Sequence, residues 1–94
     1  MLDEQRTRID IIDDEIARLF TERLSVTAEV AKIKKDNGLP ILNSEREQEI
    51  ISRLTDDQPE EIAGCIKNLF MTIFDISRTR QAELIGSMSE TKTT

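Results

Sequence analysis

Arg23 stands where an apolar side chain is expected. Ile9, Ile12, Ile16, Leu19, Val26, Val30 and Ile33 recur at alternating spacings of three and four, and Arg23 fills the step between Leu19 and Val26. That spacing is the seam of a helix that packs along its length. A guanidinium on such a seam is costly unless something satisfies it. Two readings are open from the seam alone: an ion pair or register-setting polar residue inside the fold, or a seat for an anionic ligand. Lys34 lies eleven residues on. At about 100° per residue it returns to within about 20° of Arg23, roughly 16 Å along the axis. Two long cationic side chains at that separation could converge on one small anion. The plainer reading of Lys34 is a solvated member of the Lys32, Lys34 and Lys35 group, at a helix end where cations are favoured. Arg6 is about 25 Å from Arg23 along the same helix, too far to serve one pocket within one chain. In an antiparallel pairing of two first helices, Arg6 of one chain could reach the Arg23 region of the other. As a single-chain feature it is an exposed helical arginine.

The later part of the chain holds four more candidates. Ser44 and Glu47 have the spacing of a capping box, which by itself accounts for Glu47. Arg46 falls in the first turn of the same helix, where a cation is mildly unfavourable and asks for a nearby anion. Ser77 and Gln81 continue an apolar face one helical turn apart, either as satisfied core groups or as ligand contacts.

Composition removes other chemistry. There is no His, so Ser–His triads, His general bases and His metal sites are excluded. Cys65 is the one cysteine, with no intrachain partner, no thiolate cluster and no His to activate it; it reads as a small buried hydrophobe. No metal site and no cofactor are expected. Aromatics are 3% with no Trp or Tyr, and the net charge is −6, which argues against a nucleic-acid partner. No apolar run is long enough for a bilayer, the start of the sequence is polar, and the expected location is the cytoplasm.

The elements that must position these residues follow from the breakers. Gly38 and Pro40 interrupt once and Pro59 again. The pattern predicts an all-α fold of three helices, at about 2–36, 44–55 and 59–85. One domain over 1–86 is expected, followed by a flexible C-terminal tail at 87–94. The third helix has Pro59, Glu60 and Glu61 at its start and an apolar face of Ile62, Ile66, Leu69, Phe70, Ile73 and Phe74. The first helix spans about 50 Å, whereas a compact chain of this length has a radius of gyration of about 12–13 Å. A lone protomer cannot cover that seam, and a partner chain is its natural cover.

Taken in order, these residues resemble the all-helical chorismate mutase family. The likeness runs from about Leu2 to Leu84. It rests on RTRIDIID at 6–13, LFTER at 19–23, VAKIK at 30–34, PILNSERE at 40–47 and IFDISRTRQ at 73–81. The resemblance implies an intertwined helical homodimer that rearranges chorismate to prephenate in aromatic amino acid biosynthesis. It implies that Arg23, with Arg6 of the partner chain, binds the two substrate carboxylates, assisted by Ser77. Lys34 and Gln81 would hydrogen-bond the ether oxygen of the breaking bond. Glu47 would contact the ring hydroxyl, and Arg46 would organise the pocket and its acids. Asn43 stands where some members carry Asp and would contact the hydroxyl without that charge. Such a reaction is unimolecular and needs no nucleophile, metal or proton transfer, which suits a chain without His. It needs a held conformation and fixed positive charge near the ether oxygen. Two alternatives remain: an isochorismate-pyruvate lyase with a similar cationic pocket, and a non-catalytic helical module that pairs with another shikimate-pathway enzyme. The Gln81 match and the Arg46–Glu47 pair favour the mutase.

Overall fold

The structure is a computed structural model that describes residues 1–93, with side chains described as far as Ser87. The described residues form three α-helices and no strand: α1 (Asp3–Asp36), α2 (Ser44–Thr55) and α3 (Glu60–Thr93). The all-helical, three-helix expectation is met, and the first two helices lie within a residue of their expected bounds.

α1 stops because Gly38 adopts a left-handed backbone, φ 65°. That turn lets the Gly38 N–H reach the Lys35 carbonyl at 3.2 Å and the Leu39 N–H reach the Lys34 carbonyl at 2.8 Å. The paired bonds are those of a Schellman stop, which satisfies two carbonyls the helix would leave bare.

α2 opens differently from the expectation. Its N-cap is Asn43, not Ser44: the Asn43 side chain accepts from the Arg46 N–H at 3.1 Å. Asn and Ser cap about equally well, so the preceding Asn takes the role and shifts the frame by one. The residue three past the cap is then Arg46, and no acid closes a box. Glu47 is left free for other work.

α3 begins after Pro59, whose carbonyl accepts from Ala63 N–H at 2.9 Å. It runs to Thr93 instead of ending at 85. Gly86 has no positive φ, and a helical glycine costs only about 1 kcal/mol relative to alanine. With no proline after it, nothing forces a stop. The expected flexible tail at 87–94 falls, from residue 88 on, on residues whose side chains, and for Thr94 the backbone too, lie outside the described ones.

α3 packs against both other helices. The result is long and thin, 60 × 29 × 14 Å, with a radius of gyration of 17.0 Å. The core is small: Ala31, Ile50 and Phe74 are buried, joined by two polar residues, Ser77 and Gln81. Phe70 meets Phe74 edge to face at 6.0 Å. By contrast Ile9, Ile12, Ile16, Leu19, Val26 and Ile33 are each at least half exposed. A fully buried side chain of this size contributes about 1.5–3 kcal/mol, so the protomer leaves much of its apolar face unused. No helix among the described residues is long and apolar enough to cross a membrane.

Candidate active site

One stripe of α3 builds the floor of a cleft. Phe74, Ser77, Arg78 and Gln81 lie at i, i+3, i+4 and i+7, so they share a face. α1 adds Arg23, Thr27 and Lys34, the α1–α2 loop adds Ile41 and Asn43, and α2 adds Arg46 and Glu47; all eleven residues line the same cleft.

Arg23 is half-buried there. Its Nη1 donates to Ser77 Oγ at 3.2 Å, and its guanidinium carbon lies 5.7 Å from the centroid of the Phe74 ring. That is a hydrogen bond to a neutral hydroxyl plus a cation–π contact. Among the described residues no carboxylate comes within 4.0 Å of it. Among the described residues of the protomer, the ion-pair reading of this seam position is not met. Burial holds the Arg23 pKa below its ordinary value, the nearby Arg46 charge lowers it further, and Glu47 opposes both. Arginine stays charged regardless. It is a partly desolvated cation with donors to spare, beside a hydroxyl.

Lys34 is also drawn in, contrary to its plainer reading as a solvated lysine. Its Nζ donates to the Ile41 carbonyl at 2.6 Å. The Schellman stop turns the loop back so that this carbonyl meets the side chain. Two ammonium N–H groups remain for another acceptor. Gln81 is 6% exposed, and its Oε1 has no hydrogen-bond partner among the described residues. A buried, unpaired amide oxygen costs about 1–3 kcal/mol. Gln81 lines the cleft, so this unpaired acceptor belongs to a cleft-lining residue.

Glu47, released from capping, takes an ion pair with Arg78 across the α2–α3 contact, Nη1 to Oε2 at 2.5 Å. Arg78 is held again by Asp75 one turn back. The Glu47 hydrogen bond is the main reason the Arg78 pKa lies above its ordinary value. Arg46 lines the cleft but pairs with exposed Glu49 at 3.4 Å. Asn43 spends its oxygen on the cap and keeps its amide N–H groups. Arg6 is exposed near the start of α1 and takes no part in the cleft of its own chain.

Seven of the eight expected residues thus meet: Arg23, Lys34, Asn43, Arg46, Glu47, Ser77 and Gln81. Arg78 had no role in the sequence reading. The i, i+3, i+4, i+7 stripe from Phe74 would have found it. Thr27 and Ile41 carried no signal of their own.

The cleft sets four cations, Arg23, Lys34, Arg46 and Arg78, against one carboxylate, in a chain of net charge −6. Such local concentration draws anions despite the overall sign. Arginine suits bidentate carboxylate binding, and an anchored ammonium suits a single oxygen. Cys65 is exposed, rather than buried as expected, and lies outside the cleft. In one protomer the cleft measures about 90 Å³. A water occupies about 30 Å³ and ligand pockets run to about 300–1,000 Å³. The cleft of one protomer is thus smaller than such pockets.

Comparison with known proteins bears on that pocket. A family model described as chorismate mutase type II matches residues 5–82. A chorismate mutase of Methanocaldococcus jannaschii is 45% identical over 53 residues, 56% of this chain and 54% of that protein. The T-protein of Haemophilus influenzae is 44% identical over 46 residues, 49% of this chain and 12% of its own length. A bifunctional chorismate mutase/prephenate dehydratase of Aquifex aeolicus is 43% identical over 53 residues, 56% of this chain and 15% of that protein. The chain thus spans about half the length of the first relative and a small share of the other two. No solved structure matches it significantly.

Proposed function

The chain belongs to the chorismate mutase type II family, and from that premise we propose that it rearranges chorismate to prephenate in a pocket shared by two copies of the chain. The observation that carries this reading is Arg23: a half-buried guanidinium paired with a hydroxyl and no acid, in one cleft with Lys34 and Gln81.

The proposed reaction is pericyclic. The ether C–O bond of the enolpyruvyl group breaks as a C–C bond to the ring forms, and no proton, water or electron donor enters. The protein's task is to hold the side chain over the ring and to meet charge as it grows on the ether oxygen. Arg23, with Ser77 beside it, takes a carboxylate. Lys34 takes the ether oxygen. Its tie to Ile41 fixes the ammonium before substrate arrives, so no reorganisation is needed at the moment of reaction. The Gln81 amide, with both donor and acceptor ends, completes that contact. Glu47 accepts from the ring hydroxyl, and the Asn43 amide donates to the same group. Arg46 adds positive charge at the rim.

A second copy supplies the rest. Six of the eight α1 seam positions are at least half exposed, and the cleft is too small for a ligand of this size. An antiparallel α1 pairing brings the partner's Arg6 to the second carboxylate. We place the reaction in the cytoplasm, which the lone unpaired Cys65 supports.

Purified protein incubated with chorismate tests the proposal: chorismate should disappear and prephenate accumulate. Pyruvate release from isochorismate, with no prephenate from chorismate, overturns it in favour of a lyase. Inertness toward both leaves a non-catalytic helical module as the reading.

A further inference from the structure

We propose that Arg78 is a positioning residue that holds the Glu47 carboxylate in the cleft and so sets the preference for substrates bearing a ring hydroxyl. The inference rests on the rearrangement reading above. Glu47 stands at a fork. It lines the cationic cleft, and it also lines a separate groove of about 490 Å³ between α2 and α3, shared with Gln48, Ser52 and Lys67. Each side offers a cation: Arg78 in the cleft, Lys67 in the groove. In the structure Glu47 pairs with Arg78.

The pair is built to hold. The Glu47 and Arg78 side chains are 21% and 28% exposed, well below the surface pairs of this chain. Arg78 is gripped at its other nitrogen by Asp75, so the guanidinium is fixed before it meets Glu47. One carboxylate oxygen, Oε2, is committed to Arg78. The other oxygen remains an acceptor, on a side chain that Arg78 holds at the cleft. A carboxylate offers no donor, so a neighbouring hydroxyl is the group that satisfies it, and an analogue with hydrogen at that position leaves it bare. Without Arg78 the carboxylate is free to swing toward Lys67, and the acceptor leaves the cleft.

The test compares chorismate with its analogue lacking the ring hydroxyl, using the full chain and its R78M, R78K, E47Q and E47Q/R78M variants. The readout is the ratio of kcat/KM for the two substrates, which a purely structural role would leave untouched. R78M should lower that ratio about ten- to hundred-fold, the worth of one hydrogen bond to a charged group. R78K, which keeps the charge without the fork, should fall between. The double variant should show the same ratio as E47Q, because both act through one contact. If R78M does not fold, R78K carries the test: a ratio equal to that of the unaltered chain overturns the inference. An unchanged ratio in folded R78M, or losses that multiply in the double variant, also overturns it. Absence of prephenate with the unaltered protein sinks the rearrangement itself, and this inference with it. A chorismate-active chain whose preference survives R78M sinks only the inference.

Discussion

The two halves of α1 carry the same spacing and meet different fates. From Met1 to Leu19 every residue is exposed, including Ile9, Ile12, Ile16 and Leu19. From Phe20 onward the inward positions close: Arg23, Leu24, Thr27, Ala28, Val30 and Lys34 are partly covered, and Ala31 is fully buried. α3 covers the second half and leaves the first. A 3-4 repeat states that a face will be covered; it does not state by what. In the second half the protomer covers the flank of the seam (Leu24, Thr27, Ala28 and Ala31) and part of Arg23 and Val30, while Val26 and Ile33 stay at least half exposed; the one polar interruption lies over a cleft. In the first half the protomer covers none of it, and the proposed second copy is what would.

The largest expected effect breaks the second half. Arg23→Leu completes the apolar seam. If Arg23 were a structural device, the variant would keep its activity. As a substrate carboxylate seat and a preorganised charge, its removal should cost at least roughly a hundred- to thousand-fold in kcat/KM. Stability should hold or rise, because a partly desolvated cation is replaced by a hydrocarbon. Steady-state kinetics beside thermal melts separate the two outcomes. A variant that keeps near-normal turnover removes Arg23 from the site.

The matching change in the first half is Ile16→Glu. In an isolated protomer Ile16 is 55% exposed, and a charge there costs little. Against a second copy it buries a carboxylate on an apolar seam, near its own symmetry mate in an antiparallel pair. Sedimentation equilibrium should show the mass fall to that of a monomer, and turnover should fall with it. A variant that keeps its mass and rate would show that the first half needs no partner.

A milder test keeps both halves folded and asks whether they meet across chains. Arg6→Ala and Arg23→Ala chains should each be nearly inactive alone. After subunit exchange, half the dimers are mixed and each mixed dimer holds one intact pocket. Roughly a quarter of the unaltered activity should return. Failure to recover any activity after verified exchange would place Arg6 outside the site.

What the sequence made legible divides along physical lines. The helix bounds at Asp36 and Ser44 were readable because Gly38 and Pro40 act locally. Arg23 was readable because it breaks a long repeat. The Asn43 cap was not, since Asn43 and Ser44 are adjacent residues with nearly equal capping strength, and only the backbone angle decides between them. That one-residue shift changed the meaning of Glu47 from cap to ion-pair partner. The helical stripe from Phe74 places Arg78 on the cleft face, but its pairing with Glu47 was hidden because that partner is 31 residues away, on a helix whose rotation the sequence does not set. The end of α3 was missed because Gly86 lowers helix stability without forbidding helix.

The smallest expected effect lies at that cap. Asn43→Asp preserves the acceptor for the Arg46 N–H, and Asp caps about as well as Asn. A carboxylate at a helix N-terminus is itself favourable by about 0.3–1 kcal/mol. Melting should therefore move little, and upward if at all. The cleft, however, gains a second negative charge and loses the amide donors. Repulsion of a dianion acts on binding before it acts on the breaking bond. KM should rise a few-fold, on the order of the 1 kcal/mol that one charge contributes in high dielectric at this range, while kcat changes less. Asn43→Ala provides the contrast: loss of the cap costs about 1 kcal/mol of stability and adds no charge, so KM should shift less than in the Asp variant. A fall in kcat that exceeds the change in KM for Asn43→Asp would mean that the amide acts on the transition state. The residue would then belong with Lys34 and Gln81, not with the helix start that it caps.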